Sequence, residues 1–351
     1  MKIDVLIVGQ GLAGSLLAWT LLRRRLRVVL VDDGRESASK VAAGLINPIT
    51  GRRWVKAAYL SQMLPAAMSC YQALANHFGQ AFFVEMPMLR LLRDERDRQR
   101  VIARLEDPIY EGFLTFDATL PVGLRSPFGA VLQTSTGFLR TEALLARIRE
   151  ALLAMGVYRT AELDCRQIAL EPELRWRELA PRRIVFCEGH RARFNPWFGG
   201  LPFQPAKGEI LTGVTTGSLP EIMLNYRHWL VPLGDGGFKT GATYDVERLD
   251  AVPTEAGKQE LLADLRAVYP ASVDIRIEQH RAGIRPTTLD KQPFLGCHPR
   301  HRNLYIFNGF GSKGSLTIPW LAERFADFLQ QRADLPAWCD VSRYHDSHFP
   351  G

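Results

Sequence analysis

Residues 1–33 read MKIDVLIVGQGLAGSLLAWTLLRRRLRVVLVDD, and the fold is decided there. Residues 3–8 form a short apolar run rich in β-branched side chains, the composition of a strand buried on both faces. Gly9, Gly11 and Gly14 follow, and a helical apolar pattern covers residues 12–22. A second apolar run, 28–31, ends in Asp32 and Asp33. Strand, glycine turn, helix, strand and acid make up one dinucleotide-binding unit, and each part has a physical task. Gly9 permits a tight turn, Gly11 lets the backbone approach a pyrophosphate, and Gly14 lets the helix pack against the strand. Leu12 and Ala13 open the helix, whose free N–H groups and positive dipole end suit phosphates. Asp32 lies 18 residues beyond Gly14, where a carboxylate can accept from ribose hydroxyls. An acid at that point suits FAD or NAD rather than NADP. The alternative reading is a structural glycine turn with no cofactor. Arg23, Arg24 and Arg25 read as solvated cations compensating the helix dipole.

Outward from this unit, residues 59–79 look helical, and residues 93–104 set five Arg against three acids, as on a solvated helix face. Residues 141–155 form an amphipathic helix with Thr141 as a candidate N-cap. Residues 183–187 are a short strand ending at Glu188-Gly189. The pattern of residues 229–243 is a hairpin turning at Gly234-Asp235-Gly236-Gly237, and 254–269 is helical. Residues 303–308 are a strand, followed by the cluster Gly309-Phe310-Gly311-Ser312-Lys313-Gly314 and a helix over 316–329 whose first turns accommodate Pro319. A second strand–glycine–helix unit some 300 residues after the first implies one dinucleotide gripped from both ends of the chain.

The 351 residues suggest about two domains. Hydrophobic residues at 46% and charged residues at 23% exclude disordered, collagenous and disulfide-stapled classes. A net charge of +7 is mild for this length and demands no nucleic acid. The five cysteines contain no C-x-x-C pair, which suits a reducing compartment and argues against zinc or a redox pair. No apolar run is long enough for a transmembrane helix, and the N-terminus reads as mature cytoplasmic protein. No metal ion is expected, and His228 reads as a satisfied strand histidine.

With VPLGDGGFKTGATYD at 231–245, AGIRPTTLDKQPFLG at 282–296 and NLYIFNGFGSKGSLTIPWLAE at 303–323, the chain resembles the glutathione-reductase-type flavoproteins of the D-amino-acid oxidase family. That family includes glycine oxidase, sarcosine oxidase and D-amino-acid dehydrogenases. The resemblance implies an α/β (α+β) fold: a discontinuous Rossmann-like FAD-binding domain over 1–60, 140–205 and 280–351, with an inserted, mainly antiparallel β-sheet substrate domain over 61–139 and 206–279. It implies noncovalent FAD held at Gly9, Gly11, Leu12, Ala13, Gly14, Asp32 and Asp33, along a loop containing Ser39, Lys40, Ala43 and Gly44, at Gly189, and beside Gly309, Gly311, Ser312, Lys313 and Gly314. The family's covalent-flavin cysteine has no counterpart within 282–296.

By the same resemblance, Arg285 pairs with a substrate carboxylate through its planar fork of donors; the alternative reading is a structural ion-pair residue. Arg52, which follows the loop at 39–44, and Tyr244, which follows the hairpin, are further pocket candidates, with a structural cation and aromatic core as their respective ordinary readings. Glycine oxidase has a second Arg in the late glycine loop, where this chain has Ser312 and Lys313. The implied reaction is oxidation of the C–N bond of a small amino acid or N-substituted glycine by hydride transfer to flavin N5. The resulting imine is hydrolysed by water, and the electrons leave to oxygen or a separate acceptor. One alternative is the tRNA-wobble-uridine branch of the family, which removes a carboxymethyl group from an amine. The other is a flavin-binding protein without catalysis, which would show no bleaching with any amine.

Overall fold

The computed structural model describes residues 1–116, 119–217, 219–269 and 274–349. Its cofactor half is built on a six-stranded sheet in the order Tyr158–Thr160, Val28–Asp32, Lys2–Val8, Ala180–Phe186, Leu304–Asn308, Phe294–Cys297. The first five strands are parallel and the last is antiparallel. Val5 is paired with Val28 on one side and Arg183 on the other. Both sheet faces are covered, which is why the central stretches 5–8 and 28–31 are uninterruptedly apolar. Val5, Ile7 and Leu30 pack against the helices Leu12–Arg23, Leu60–Phe78, Thr141–Ala154 and Gly314–Leu329, while Leu6, Val29 and Val31 pack on the other face against Trp176 and Phe198. Leu6 has no exposed surface, so truncating it to Ala should cost about 2–5 kcal/mol.

The eight-stranded sheet runs Ile275–Arg285, Ala206–Thr215, Gly237–Gly241, Trp229–Gly234, Met223–Asn225, Met88–Leu91, Ala130–Gln133, Leu114–Phe116. It is antiparallel apart from the pairing of Met223–Asn225 with Met88–Leu91. The expected hairpin is present. Asp235 and Gly236 turn it with φ of 51° and 73°, the left-handed pair that joins right-twisted strands. The helix Glu255–Val268 is capped by Thr254, whose hydroxyl accepts from Gly257 N. Where Ile275–Arg285 ends, the chain passes back toward the six-stranded sheet.

Four local expectations are corrected. Arg24 is not solvated: it pairs with Asp327 at 2.6 Å and with Glu323, both on the last helix, so it joins the two ends of the chain. Thr141 is not an N-cap but the first helical residue, and its hydroxyl donates to the Ala42 carbonyl at 3.1 Å. The last long helix starts at Gly314, two residues earlier than the apolar pattern suggests, so Pro319 is its sixth residue. Tyr244 is not core; it is 62% exposed. Among the described residues no helix is long and apolar enough to cross a membrane.

Candidate active site

The C-terminal ends of the parallel strands open onto one cavity of about 1030 Å³, at the top of the usual range for small-molecule and cofactor sites. Crevices beyond the carboxyl ends of parallel strands are where such sheets bind ligands. Both glycine clusters line this cavity, Gly9 and Gly11 from the first and Gly311, Ser312 and Gly314 from the second. The loop between them also contributes, through Ser39, Lys40, Ala43 and Gly44.

Gly9 has a φ of 100°, and a Cβ there would lie 2.6 Å from the Cys187 carbonyl oxygen. A Cβ on Gly14 would lie 1.9 Å from the Gly9 carbonyl oxygen, so only glycine lets the helix sit this close to the turn. Gly11 occupies the N-cap position without a side-chain cap. The Ser39 hydroxyl accepts from Leu12 N at 3.0 Å, while the N–H groups of Ala13 and Gly14 find no partner among the described residues. Unfilled donors at the positive end of a helix, with no side chain in the way, match the pyrophosphate of a dinucleotide.

The acids at the end of the second strand have distinct surroundings. Asp32 lines the cavity and accepts from Gln10 N and Gly34 N, each at 2.8 Å. Asp33 is held by Arg191 through two bonds of 2.6 and 3.1 Å. Burial raises the Asp33 pKa, but the bonds from Arg191 and from Arg35 N outweigh it, and the carboxyl ends below its usual range. Glu188 follows the Ala180–Phe186 strand by two residues, where burial pushes it up to about 7 although Asn195 donates to it at 2.9 Å. Neighbouring His190 is pushed down to about 4 by burial and by Arg191 and Arg193. Glu188, His190 and Arg191 all line the cavity. Sequence reading overlooked them, although polar residues just past the end of a parallel strand were a usable signal. The Asn308 amide donates to the Gly189 carbonyl at 2.9 Å, which locks the late glycine loop to that strand end.

Arg285 enters the same cavity at the end of its strand. Its Nη1 donates to the Lys207 and Thr243 carbonyls and its Nη2 to Thr243, each at 3.3 Å. Among the described residues it has no acidic partner, so the ion-pair reading of Arg285 fails. Burial lowers its pKa from the usual value. The guanidinium lies over Gly208: a Cβ there would meet Nη2 at 2.1 Å. Tyr244 flanks it with the ring centre 5.9 Å from the guanidinium carbon.

Other predicted residues lie outside the lining. Arg52 belongs to the exposed turn joining Ile49–Thr50 to Val55–Lys56 and does not reach the cavity. The Gly14, Gly309 and Lys313 positions do not line the cavity, and Lys313 stands at the N-cap of the last long helix without a side-chain cap. The Lys40 ammonium donates to the Gly34 and Arg35 carbonyls. The Asp32, Asp33, Gly189 and Arg285 positions all meet at the one cavity.

Comparison with known proteins agrees with this geometry. The bifunctional protein MnmC of tRNA 5-methylaminomethyl-2-thiouridine biosynthesis from Idiomarina loihiensis is 26% identical over 92% of this chain and 55% of its own length. The chain thus spans about half the length of the bifunctional relatives it matches. Glycine oxidase of Pseudomonas aeruginosa is 24% identical, covering 95% of this chain and 96% of its own. The glycine oxidase structure from Geobacillus kaustophilus superimposes with a TM-score of 0.84 over 100% of both chains at 21% identity, a likeness of fold. The family model described as "DAO: FAD dependent oxidoreductase" matches residues 4–328, so the chain belongs to that family of FAD-dependent oxidoreductases.

Proposed function

We propose that this protein oxidises the C–N bond of a small amino acid or N-substituted glycine whose carboxylate is held by Arg285. The observation that carries the reading is the Arg285 guanidinium, which lines the cavity and whose hydrogen-bond partners among the described residues are carbonyl oxygens. A partly buried, permanently charged fork without a counter-ion favours a planar anion arriving from outside. FAD, bound without a covalent link, supplies the two-electron acceptor.

The Gly9–Gly14 turn and the free N–H groups of Ala13 and Gly14 would hold the FAD pyrophosphate, Asp32 would accept from its ribose, and Gly311, Ser312 and Gly314 would close the other side. Arg285 fixes the carboxylate, so the adjacent C–H has one orientation, and positioning of this kind supplies much of the rate. Gly208 leaves room for the guanidinium, and the Lys207 and Thr243 carbonyls hold it in place. The substrate amine loses a hydride and a proton to become an imine. Water then releases the carbonyl product and the free amine. The electrons leave to oxygen or to a separate acceptor.

A second reading concerns the group on the amine nitrogen. The bifunctional MnmC relatives act in tRNA modification, and a carboxymethylamine on a uridine is itself an N-substituted glycine. The same Arg285 contact serves both. Anaerobic titration separates the two: bleaching of the flavin by glycine, sarcosine or another free amino acid supports the first reading. Bleaching only by a carboxymethylaminomethyl-uridine substrate supports the second. No bleaching by any amine carrying a carboxylate rejects the Arg285 reading.

A further inference from the structure

Outside the cavity, a strand histidine and two acids of one helix meet behind its wall. His228 leads into the Trp229–Gly234 strand, and its side chain is 5% exposed. Its Nδ1 lies 3.2 Å from the Ala242 carbonyl oxygen. A carbonyl only accepts, so Nδ1 carries a proton. The other ring nitrogen, Nε2, faces two carboxylates: Asp264 Oδ2 at 3.0 Å and Glu260 Oε1 at 3.3 Å. The two acids stand four residues apart on one face of the Glu255–Val268 helix.

Neither contact is aligned as an N–H···O bond, and both His228 Nε2 and Asp264 Oδ2 are buried without a hydrogen-bond partner. The three ligand atoms lie within 4.8 Å of one another. Ligands bound about 2.1 Å from a shared ion stand about 3.0–3.4 Å apart and well off one another's bond axes, and this is the relation seen between Nε2 and the two oxygens. The contact to the Ala242 carbonyl is also what a metal-bound histidine uses to fix its tautomer and ring orientation.

We infer that His228, Glu260 and Asp264 form a binding site for one divalent transition cation of the zinc class, with a fourth position open to water. Three nitrogen and oxygen ligands of this kind suit zinc better than calcium or magnesium, which prefer oxygen alone. The sequence reading expected no metal, because its spacing test compares residues close in sequence, whereas here a strand and a helix supply the ligands. The site is structural: it would join the helix to a strand whose Trp229, together with Ala242, lines the cavity. The exposed Arg227 guanidinium, 3.4 Å from Asp264 Oδ2 and 3.6 Å from Glu260 Oε1, is the competing cation and must move aside when the ion enters.

The test is calorimetric titration of the FAD-loaded protein with zinc chloride after treatment with a chelator, on wild type, Asp264→Asn, Glu260→Gln and Arg227→Ala. The expected result is one saturable equivalent in wild type, at least tenfold weaker binding in the Asn and Gln variants, and unchanged or tighter binding in Arg227→Ala. Thermal unfolding should move upward with zinc in wild type and in Arg227→Ala but not in the two acid variants, since a ligand of the native state stabilises it by mass action. The near-isosteric acid variants keep the fold, so loss of zinc there is not loss of structure. No saturable uptake by wild type would overturn the site. Equal uptake by Asp264→Asn would overturn it by placing the zinc elsewhere, for example on a cysteine.

Discussion

The Tyr71 hydroxyl donates to the Ser315 carbonyl across 2.6 Å in the buried interface between the second long helix and the last one. Ser315 O is the acceptor that the residue four positions on would normally serve, and that residue is Pro319, which has no N–H. A side chain from 244 residues away therefore completes a helix whose first turn borders the cofactor cavity.

Tyr71→Phe should destabilise the protein by about 1–3 kcal/mol, the cost of leaving a buried carbonyl without a donor. Pro319→Ala supplies the missing N–H, so the double variant should recover part of that loss. Denaturant unfolding of the four proteins in a double-mutant cycle measures the coupling. Additive effects would mean that the hydroxyl does not substitute for the helical bond.

Arg285→Ala should lower kcat/KM for the active amine by two to three decades, corresponding to the roughly 3–5 kcal/mol lost when a charge partner is removed. Arg285→Lys should recover little, because a point charge cannot make the planar two-bond contact. Gly208→Ala should reproduce most of the defect without touching Arg285, since its Cβ would occupy space 2.1 Å from Nη2. Steady-state kinetics with matched flavin content checks all three.

Gly14→Ala places a methyl group 1.9 Å from the Gly9 carbonyl oxygen. Helix and turn must separate, and the N–H groups at the helix start move with them. The variant should purify with little or no flavin. A yellow protein with wild-type absorbance at full occupancy would show that the close approach is not required for the cofactor.

Glu188 has a folded-state pKa of about 7 against an ordinary 4.5. A raised folded value means that native protein holds the proton more tightly than unfolded chain does. That contribution to stability is complete below about pH 4.5 and is lost as pH rises through about 7. Glu188→Gln keeps an oxygen for Asn195 and carries no charge. Its melting temperature should exceed wild type above that window, by about 1–3 kcal/mol in stability, and approach wild type below it. A pH-independent offset would show that Glu188 does not titrate there.

The two glycine units were readable because a turn that brings a helix start to a phosphate needs glycine at set intervals, and the intervals survive in one dimension. The same holds for the alternating hairpin around Asp235 and for the paired strands that end at Asp32 and Cys187. Arg24, Thr141 and Tyr244 were misread for one reason: their partners or surroundings lie in other elements. Arg52 was placed by its nearness to the loop at 39–44, but the chain turns outward before reaching it. Glu188 was read only as the end of its strand and His190 not at all, because their unusual protonation arises from burial, which no local pattern records.

Local periodicity and glycine spacing by themselves determined that the chain carries a strand–glycine–helix unit of the dinucleotide-binding kind near its start and a second such unit near residue 310, since turn geometry and strand burial act over a few residues. The three-dimensional fold alone decided that Arg285 faces the cavity with no acidic partner among the described residues, that Tyr71 completes the helix at Pro319, and that His228 meets Glu260 and Asp264. Each of those depends on distances between segments that only long-range packing brings together.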